Sequence, residues 1–374
     1  MSIPKEKVLL AVAAAATGVA VVGALLSVTG TISLPLPAPV KYLKFKKNSP
    51  RSNPPASSYP DYANSEHTFV SPSSGRTISY AEYGSADSEN IVVYEHGNPG
   101  SRVLPIGASL KGKDIRVLTM DRPGLGFTSL PVLNKTIIET AVSDVGELLE
   151  YLGLDNKKII LCGFSAGGPH VLAILKTFPE KIRAVYCLGP ASYFDDEATW
   201  SQLTPGAAST NKLALRHPNY YFYKLVSNAD AITDCSNVIE NMKGMSPPGD
   251  KEFLATHPVE ALGWQYVNYE AFRQGIWGYA LSCVEIFGAT LATKPWPVLG
   301  DLSTIEGIKG IKVTIIHRES DLLVALSGSR QLVEMLKAAG ADATLIVPEG
   351  PEGGHFQALN YGFDYILEQE CKSA

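Results

Sequence analysis

Ser165 stands between two glycines in the stretch LCGFSAGGPH, residues 161–170, where the pattern G-x-S-x-G points to a specific chemistry. An apolar, strand-like run precedes the serine and a helix-like run follows it, as in a tight strand-to-helix turn that exposes a serine hydroxyl. Gly163 and Gly167 leave room for such a turn, because the chain crosses itself closely there. The backbone N–H of Ala166 would lie at the amino end of the helix, where the dipole stabilises a developing oxyanion. The pattern predicts Ser165 as a nucleophile, with a tight turn that has no catalytic role as the alternative.

A serine hydroxyl becomes an effective nucleophile only when a base takes its proton and a carboxylate orients that base. Among the seven histidines, His355 is the best candidate base, because it follows the last predicted strand across a glycine-rich loop and opens the final helix. Asp321 is the preferred acid, since it follows the penultimate predicted strand and precedes the apolar run LLV, which would fix the loop. Glu319 is the second choice. Asp195 and Asp196 are a third choice and are more typical of a solvated helix start.

Two further loops are predicted to complete the site. The loop HGNPGSR follows the strand-like run NIVVYE, and the backbone N–H of Asn98 within it is the expected second oxyanion donor. His96 and His317 end predicted strands and are expected to bond to backbone groups. In the loop DRPGLGFTS, Asp121 and Arg122 are expected to bond to neighbouring loops and to support the site.

Strand-like and helix-like stretches alternate along the body of the chain, which begins near residue 64. Apolar runs such as NIVVYE, KIILCGF and KVTII are separated by stretches of helical period such as ETAVSDVGELLEYLG. Strands separated by helices of this length indicate a mostly parallel sheet that is covered on both faces. The first two or three strands follow one another without a helix, so we expect them to form an antiparallel edge.

The alternation stops in residues 191–300, which have helical periodicity and many aromatic residues, as in NYYFYKL, GWQYVNYEAF and IWGYA. An insertion at this point lies above the carboxyl ends of the strands, where ligands bind in α/β sheets. We therefore expect a helical cap over an α/β core made of residues 64–190 and 301–374. Most of its aromatic residues are expected to form a core, and some to line a pocket.

Residues 1–34 are predicted to be a membrane anchor. The run from Val8 to Leu34 has no charged residue, and as a helix it would extend about 40 Å, enough to cross a bilayer. A cleaved signal peptide, whose apolar core is shorter, and a buried helix are the alternatives. Residues 35–63 are rich in Pro, Ser and Lys and are predicted to be an extended tether. The expected location is therefore a membrane, with a single pass.

Two signals disagree about the side of the membrane on which the body would lie. Basic residues are denser after the apolar run than before it, which favours a cytosolic body under the positive-inside rule. Asn134, in the sequon NKT, would be glycosylated only if the body were lumenal. The topology stays open.

Charge and cysteine content exclude other classes of partner and site. The net charge is −5, and acidic and basic residues are mixed along the chain, so no basic surface for a nucleic acid backbone is indicated. The five cysteines are widely spaced and contain no CxxC pair, so neither a zinc site nor a disulfide framework is indicated.

The motifs HGNPGSR, DRPGLGFTS, GFSAGG, HRESD and GGHF, in this order between about residues 65 and 370, resemble the α/β-hydrolase superfamily. The resemblance implies a mostly parallel eight-stranded sheet flanked by helices, with a helical cap inserted after strand 6. It also implies that Ser165 is the nucleophile, Asp321 the acid and His355 the base, and that the N–H groups of Asn98 and Ala166 form an oxyanion hole. No metal or organic cofactor is expected for such a triad.

Two features depart from the usual pattern. Arg318 stands where many relatives have a glycine, beside the loop of the predicted acid. The motif HGNP is also similar to haloalkane dehalogenases and epoxide hydrolases, which use an aspartate nucleophile, and Ser165 argues against their chemistry.

The expected function is hydrolysis of a carboxylic ester or related acyl bond through an acyl-enzyme. The aromatic cap favours a hydrophobic small-molecule substrate. Two classes of alternative stay open, because a fold does not determine a function. One is a peptidase, thioesterase, acyltransferase or lyase that uses the same triad, and the other is a non-catalytic binding protein with the same fold.

Overall fold

The structure, a computed structural model, describes residues 66–235, 238–290, 296, 300–302, 305–349 and 354–371. The predicted anchor, residues 1–34, and the predicted tether, residues 35–63, lie outside these ranges. Among the described residues, no helix combines the length and the apolar character that crossing a membrane requires. The anchor and the membrane location therefore stay predictions.

Eight strands form one sheet at the centre of the molecule. The strands are β1 (His67–Val70), β2 (Thr77–Gly84), β3 (Ile91–Glu95), β4 (Arg116–Met120), β5 (Ile159–Phe164), β6 (Ile182–Leu188), β7 (Lys312–Ile316) and β8 (Asp342–Ile346). Their spatial order is β1-β2-β4-β3-β5-β6-β7-β8, and every pair from β4 to β8 in this order is parallel. The predicted mostly parallel eight-stranded sheet is confirmed.

The antiparallel edge has two strands, within the expected two or three, but one of the strands expected in it lies elsewhere. It contains β1 and β2, since β1 pairs antiparallel with β2, and β2 pairs antiparallel with β4. The third strand, β3, instead lies inside the sheet between β4 and β5 and is parallel to both. The segment between β3 and β4 has no α-helix, but it is long enough for the crossover that parallel strands require.

The interior strands form because their apolar side chains are buried on both faces of the sheet. All residues of β3 and β5 are buried. Alternate residues enter two different apolar layers: Val93 and Leu161 lie in one layer, and Val92 and Ile160 lie in the other. The carboxyl ends of these strands are thereby held at one edge of the sheet.

The α-helices of the described residues are α1 (Ile137–Tyr151), α2 (Gly167–Thr177), α3 (Glu197–Trp200), α4 (Pro205–Arg216), α5 (Pro218–Ser227), α6 (Ala229–Ile232), α7 (Val238–Met245), α8 (Pro248–Thr256), α9 (Pro258–Ala271), α10 (Trp277–Phe287), α11 (Leu326–Ala338) and α12 (Gln357–Glu370). Helices α1, α2 and α11 contribute to the apolar layer on one face of the sheet, and α12 contributes to the layer on the other. The sheet is therefore flanked by helices on both faces, as predicted.

Helices α3 to α10 lie between β6 and β7, within the stretch predicted to form the cap. Several of their aromatic side chains, including Tyr221, Phe222 and Phe272, form a separate buried cluster. Others, including Phe253, Trp264 and Tyr266, pack into an apolar layer against the sheet, so many aromatic residues of the insert contribute to a core, as expected. The predicted bounds of the cap and of the two core segments stay predictions.

Candidate active site

Ser165 lies at the sharp turn between the end of β5 and the start of α2. Its backbone has a φ of 54°, in the left-handed region that non-glycine residues adopt at a cost of about 1 to 3 kcal/mol. Three hydrogen bonds hold this conformation: Ser165 N–H donates to the carbonyl of Leu188 over 2.9 Å, and the Ser165 carbonyl accepts from Gly168 and Ala191. The strained turn expected around this serine is therefore present.

The two glycines of the turn are required by close approaches of the main chain. A Cβ atom on Gly163 would lie 2.6 Å from the carbonyl oxygen of Gly167, and one on Gly167 would lie 2.0 Å from the carbonyl oxygen of Glu95. Both distances are far below van der Waals contact. The steric reason that the sequence suggested for the glycines is confirmed.

Asp321 and His355 form a buried pair at the same edge of the sheet. His355 Nδ1 lies 2.6 Å from Asp321 Oδ2, and the two residues are 4% and 3% exposed. The other carboxylate oxygen accepts hydrogen bonds of 2.9 Å from the backbone N–H groups of Leu323 and Val324. Residues of the apolar run LLV thus fix the acid loop, and the pairing of Nδ1 directs Nε2 away from Asp321.

His355 lies beside the serine turn. Its ring centroid is 4.7 Å from that of Phe164, the residue before Ser165. Within the described part of the chain, no hydrogen bond is formed between Ser165 Oγ and His355 in this structure, and Ser165 is partly exposed. Rotation about one side-chain torsion angle moves the serine Oγ between staggered positions. The structure brings Asp321 and His355 into contact and puts His355 next to the turn. The hydrogen bond between Ser165 Oγ and His355 that a triad requires is not formed among the described residues.

The predicted oxyanion donors lie on either side of this turn. Gly97 packs so close to Ser165 that a Cβ on the glycine would be 3.4 Å from the serine Cβ. In the described chain, no acceptor is found for the backbone N–H of Asn98 or Ala166. Both N–H groups are therefore free to donate a hydrogen bond to a group bound at Ser165.

Arg122 sets the direction of the Asn98 N–H. The Arg122 guanidinium donates to the carbonyl oxygens of His96 and Gly97 over 2.7 and 2.6 Å. The N–H and C=O of one trans peptide point in opposite directions, so drawing the Gly97 carbonyl towards Arg122 turns the Asn98 N–H to the other side. Arg122 has the supporting role predicted for it, as does Asp121, which accepts from the backbone N–H of Arg102 over 2.7 Å.

His317 has a contact that the sequence does not reveal. As expected, it bonds to a backbone group, since Nε2 lies 3.1 Å from the Val324 carbonyl oxygen. Nε2 is also 3.3 Å from Asp321 Oδ2, and Nδ1 is 2.7 Å from Ser329 Oγ. The spacing of four residues between His317 and Asp321 is the only sequence signal for this contact, because the loop that brings them together has no regular structure.

The remaining acidic candidates lie in other surroundings. Glu319 is exposed. Asp196 accepts from the Thr199 N–H over 2.7 Å and caps α3, and Asp195 contacts Trp200 and Arg216. The structure brings none of these carboxylates into contact with His355.

The charges around the pair change the pKa of both groups. Burial raises the pKa of the Asp321 carboxyl. The positive charge of His355 and the hydrogen bonds from His317 and His355 lower this pKa by more than burial raises it, so it lies well below its usual range. Burial lowers the pKa of His355, but Asp321 and, to a smaller degree, Asp250 raise it, and the net shift is upward. The site therefore stabilises an imidazolium next to a carboxylate.

Asn134, the predicted glycosylation site, is an exposed residue of the turn before α1, with a φ of 64°. Its exposure leaves it accessible, and its glycosylation stays a prediction. Among the described residues, no group of three or more His, Cys, Asp or Glu side chains is arranged to hold a metal ion.

Comparisons with known proteins identify the family of the chain. A family model described as the alpha/beta hydrolase fold matches residues 90–339. The chain belongs to the α/β-hydrolase family. No curated protein matches the sequence.

Solved structures with the α/β-hydrolase fold are similar over most of the chain. A hydrolase from Pseudomonas aeruginosa PA01 is 18% identical, with 81% of this chain and 97% of that chain covered and a TM-score of 0.54. A bromoperoxidase from Bacillus anthracis is 22% identical, with 81% and 98% covered and a TM-score of 0.53. An esterase from Exiguobacterium antarcticum is 18% identical, with 82% and 100% covered and a TM-score of 0.52. Likeness at this level shows a shared fold, so the reaction is argued from the site.

Proposed function

We propose that this α/β-hydrolase is a serine hydrolase that cleaves a carboxylic ester or a related acyl bond. The buried Asp321–His355 pair beside the strained Ser165 turn is the observation that carries the proposal. A carboxylate that orients a histidine next to an exposed serine hydroxyl is the arrangement that nucleophilic acyl transfer requires.

In the proposed reaction, His355 takes the proton of the Ser165 hydroxyl as Oγ attacks the carbonyl carbon of the substrate. Asp321 stabilises the imidazolium that forms. The N–H groups of Asn98 and Ala166 donate to the oxyanion of the tetrahedral intermediate. His355 then gives its proton to the leaving alcohol, and water attacks the acyl-enzyme in the same manner to release the acid.

The aromatic composition of the cap supports a hydrophobic small-molecule substrate. In the described residues, no hydrogen bond joins Ser165 Oγ and His355. This favours a second candidate function, that of a non-catalytic binding protein with the same fold. Other reactions that begin with the same acyl-enzyme, such as those of a peptidase, thioesterase or acyltransferase, are distinguished by which substrates give a burst of product.

Labelling with a fluorophosphonate probe tests the proposal, because the probe reacts only with an activated serine. We expect the wild-type protein to be labelled and to hydrolyse short acyl esters. We expect Ser165→Ala to lose labelling completely and to lose at least about 10³-fold in kcat/KM, with an unchanged melting temperature. Ser143→Ala, a matched serine whose hydroxyl bonds only to the Glu139 carbonyl in α1, is the control and should be labelled normally. A folded wild-type protein that the probe does not label would contradict the proposal.

A further inference from the structure

Asp250, in the first turn of α8, carries a buried carboxylate that reaches from the inserted helices to the loop of His355. Its exposed fraction is 0%. Asp250 Oδ1 accepts a hydrogen bond of 2.9 Å from the backbone N–H of Phe356, which lies 106 residues away in the chain. The backbone N–H of His355 also faces this carboxylate and lowers its pKa. A single side chain thus lies against the main chain of His355 and Phe356.

The same loop packs against the second oxygen of the carboxylate. A Cβ atom on Gly354 would lie 2.4 Å from Asp250 Oδ2, so no larger residue fits there without displacing the carboxylate. Gly354, His355 and Phe356 are consecutive, and all three are in contact with Asp250. The position of the His355 backbone is therefore defined by a residue of the inserted helices.

Asp250 also occupies the place of a missing helix cap. Helix α12 begins at Gln357, and its N-cap residue, Phe356, makes no side-chain capping bond. A carboxylate at this end satisfies a free N–H group and interacts favourably with the helix dipole. The helix end that carries His355 is stabilised from outside its own segment.

We propose that Asp250 is a positioning residue, which holds His355 between its own carboxylate and that of Asp321 and so prepares the imidazole to accept a proton. The inference rests on the proposed function, because it assigns the role through His355. It goes beyond the three residues of the triad, since it makes the position of the base, His355, depend on a residue of the inserted helices.

The charges that face His355 give this role a signature in pH dependence. Asp321 faces Nδ1 from the loop after β7, and His317 contacts Asp321 from the end of β7. Asp250 faces the backbone of the His355 loop from α8, and its charge raises the pKa of His355. Burial raises the pKa of Asp250 to about 6, against the opposing effects of His355 and the Phe356 N–H. Above that pH the carboxylate is ionised, and its charge stabilises the imidazolium. A purely structural contact would have no such effect on His355.

The test compares Asp250→Asn with Glu285→Gln in the full chain. The asparagine keeps the shape and an acceptor oxygen but removes the charge. Glu285 is the matched control, because this partly buried carboxylate of α10 also accepts hydrogen bonds from the backbone of the core, those of the Ile137 and Ile138 N–H groups, over 2.8 Å each. It therefore ties the inserted helices to the core without contacting the His355 loop.

For Asp250→Asn we expect the acid limb of the kcat/KM profile to move to lower pH by at least about 0.5 unit, since removing a nearby negative charge lowers the pKa of His355. The same shift should appear in an NMR titration of the His355 ring, which requires no activity. Asp250→Ala, which also removes the acceptor, should lower kcat by about 10- to 100-fold and change KM little, because the base is displaced. Circular dichroism and the melting temperature report whether each variant is folded.

An unchanged His355 titration and acid limb in folded Asp250→Asn would overturn the inference, as would an equal shift in Glu285→Gln. A wild-type protein that is neither labelled nor active would instead refute the proposed function, and the positioning role would fall with it. Labelled wild-type protein with unaffected Asp250 variants would refute the positioning role alone.

Discussion

Strand β5 and helix α8 both contribute to the region around His355, but they are held in place by different kinds of contact. Every residue of β5 is buried, and its main chain pairs with β3 on one side and β6 on the other. Helix α8 packs Phe253 and Leu254 into one apolar layer of the core, and its carboxylate of Asp250 bonds to the His355 loop. Displacing β5 would break a whole ladder of hydrogen bonds, whereas a single substitution removes the hydrogen bond between α8 and the His355 loop.

Other inserted helices also make polar contacts with the core, in addition to apolar contacts such as that of Trp264 with Phe164. Glu285 accepts from the N-terminus of α1, and Gln274 donates to the Thr128 carbonyl oxygen over 2.7 Å. Glu270 forms an ion pair of 3.0 Å with Arg102, and both side chains are fully buried. The comparison indicates that main-chain pairing and packing hold the sheet, and that apolar packing together with a few polar contacts holds the inserted helices.

The largest effect is expected at the edge of the sheet, for Asp321→Ala. Removing this acid leaves His355 without its partner on Nδ1 and should lower kcat/KM by about 10³- to 10⁴-fold. Glu319→Ala is the matched control, because this neighbouring carboxylate is exposed, and its kcat/KM should stay within about twofold. Steady-state kinetics on one ester distinguishes the two. A large loss in Glu319→Ala alone would show that the acid was assigned to the wrong residue of the loop.

A smaller effect is expected for the ion pair between the inserted helices and the core. Glu270→Gln removes the carboxylate that pairs with Arg102 from the inserted helices, and the loss should destabilise the protein by about 3 kcal/mol, measured by urea unfolding. Glu89→Gln breaks an ion pair with Lys157 in which both side chains are exposed, and should cost less than about 1 kcal/mol. An equal loss of unfolding free energy in the two variants would show that the buried ion pair contributes no more to the attachment of the inserted helices than an exposed pair contributes to the surface.

The smallest effect is expected at the start of α1, where a local contact and an inserted helix meet. Thr136 Oγ1 accepts from the Glu139 N–H over 3.1 Å, and Glu139 Oε2 accepts from the Thr136 N–H over 2.7 Å. Thr136→Ala should therefore cost about 1 kcal/mol in the free energy of unfolding. A double-mutant cycle with Glu285→Gln measures how far the two contacts depend on each other. No loss in Thr136→Ala would mean that Glu285 alone is sufficient to hold this helix end.

Several features of the site were predictable because their signals are local. Ser165 lies between glycines at a strand-to-helix boundary, and the close approach of Gly163 to Gly167 follows from that short stretch, whereas the approach of Gly167 to Glu95 depends on the neighbouring strand β3. Asp321 and His355 each follow a predicted strand, and the carboxyl ends of parallel strands meet at one edge of a sheet. Their contact could therefore be expected without coordinates.

Other features depend on contacts that no local pattern contains. The sequence pattern does not indicate β1, in which Phe69 is the only buried residue. It also does not place β3 inside the sheet, because the order of strands is decided by crossover connections. His317 contacts Asp321 through an irregular loop, and Asp250 contacts His355 from an insertion with no pattern that specifies a partner.

The sequence by itself determined the fold family, the strained serine turn and the residues proposed as base and acid, because each depends on the order and chemistry of short segments. Only the tertiary structure decided which carboxylate of the inserted helices reaches His355, and that the Ser165–His355 contact is open in this conformation. Residues 250 and 356 are 106 positions apart and meet only in the folded chain, and such a meeting depends on the packing of whole helices. A pattern along the chain cannot specify it.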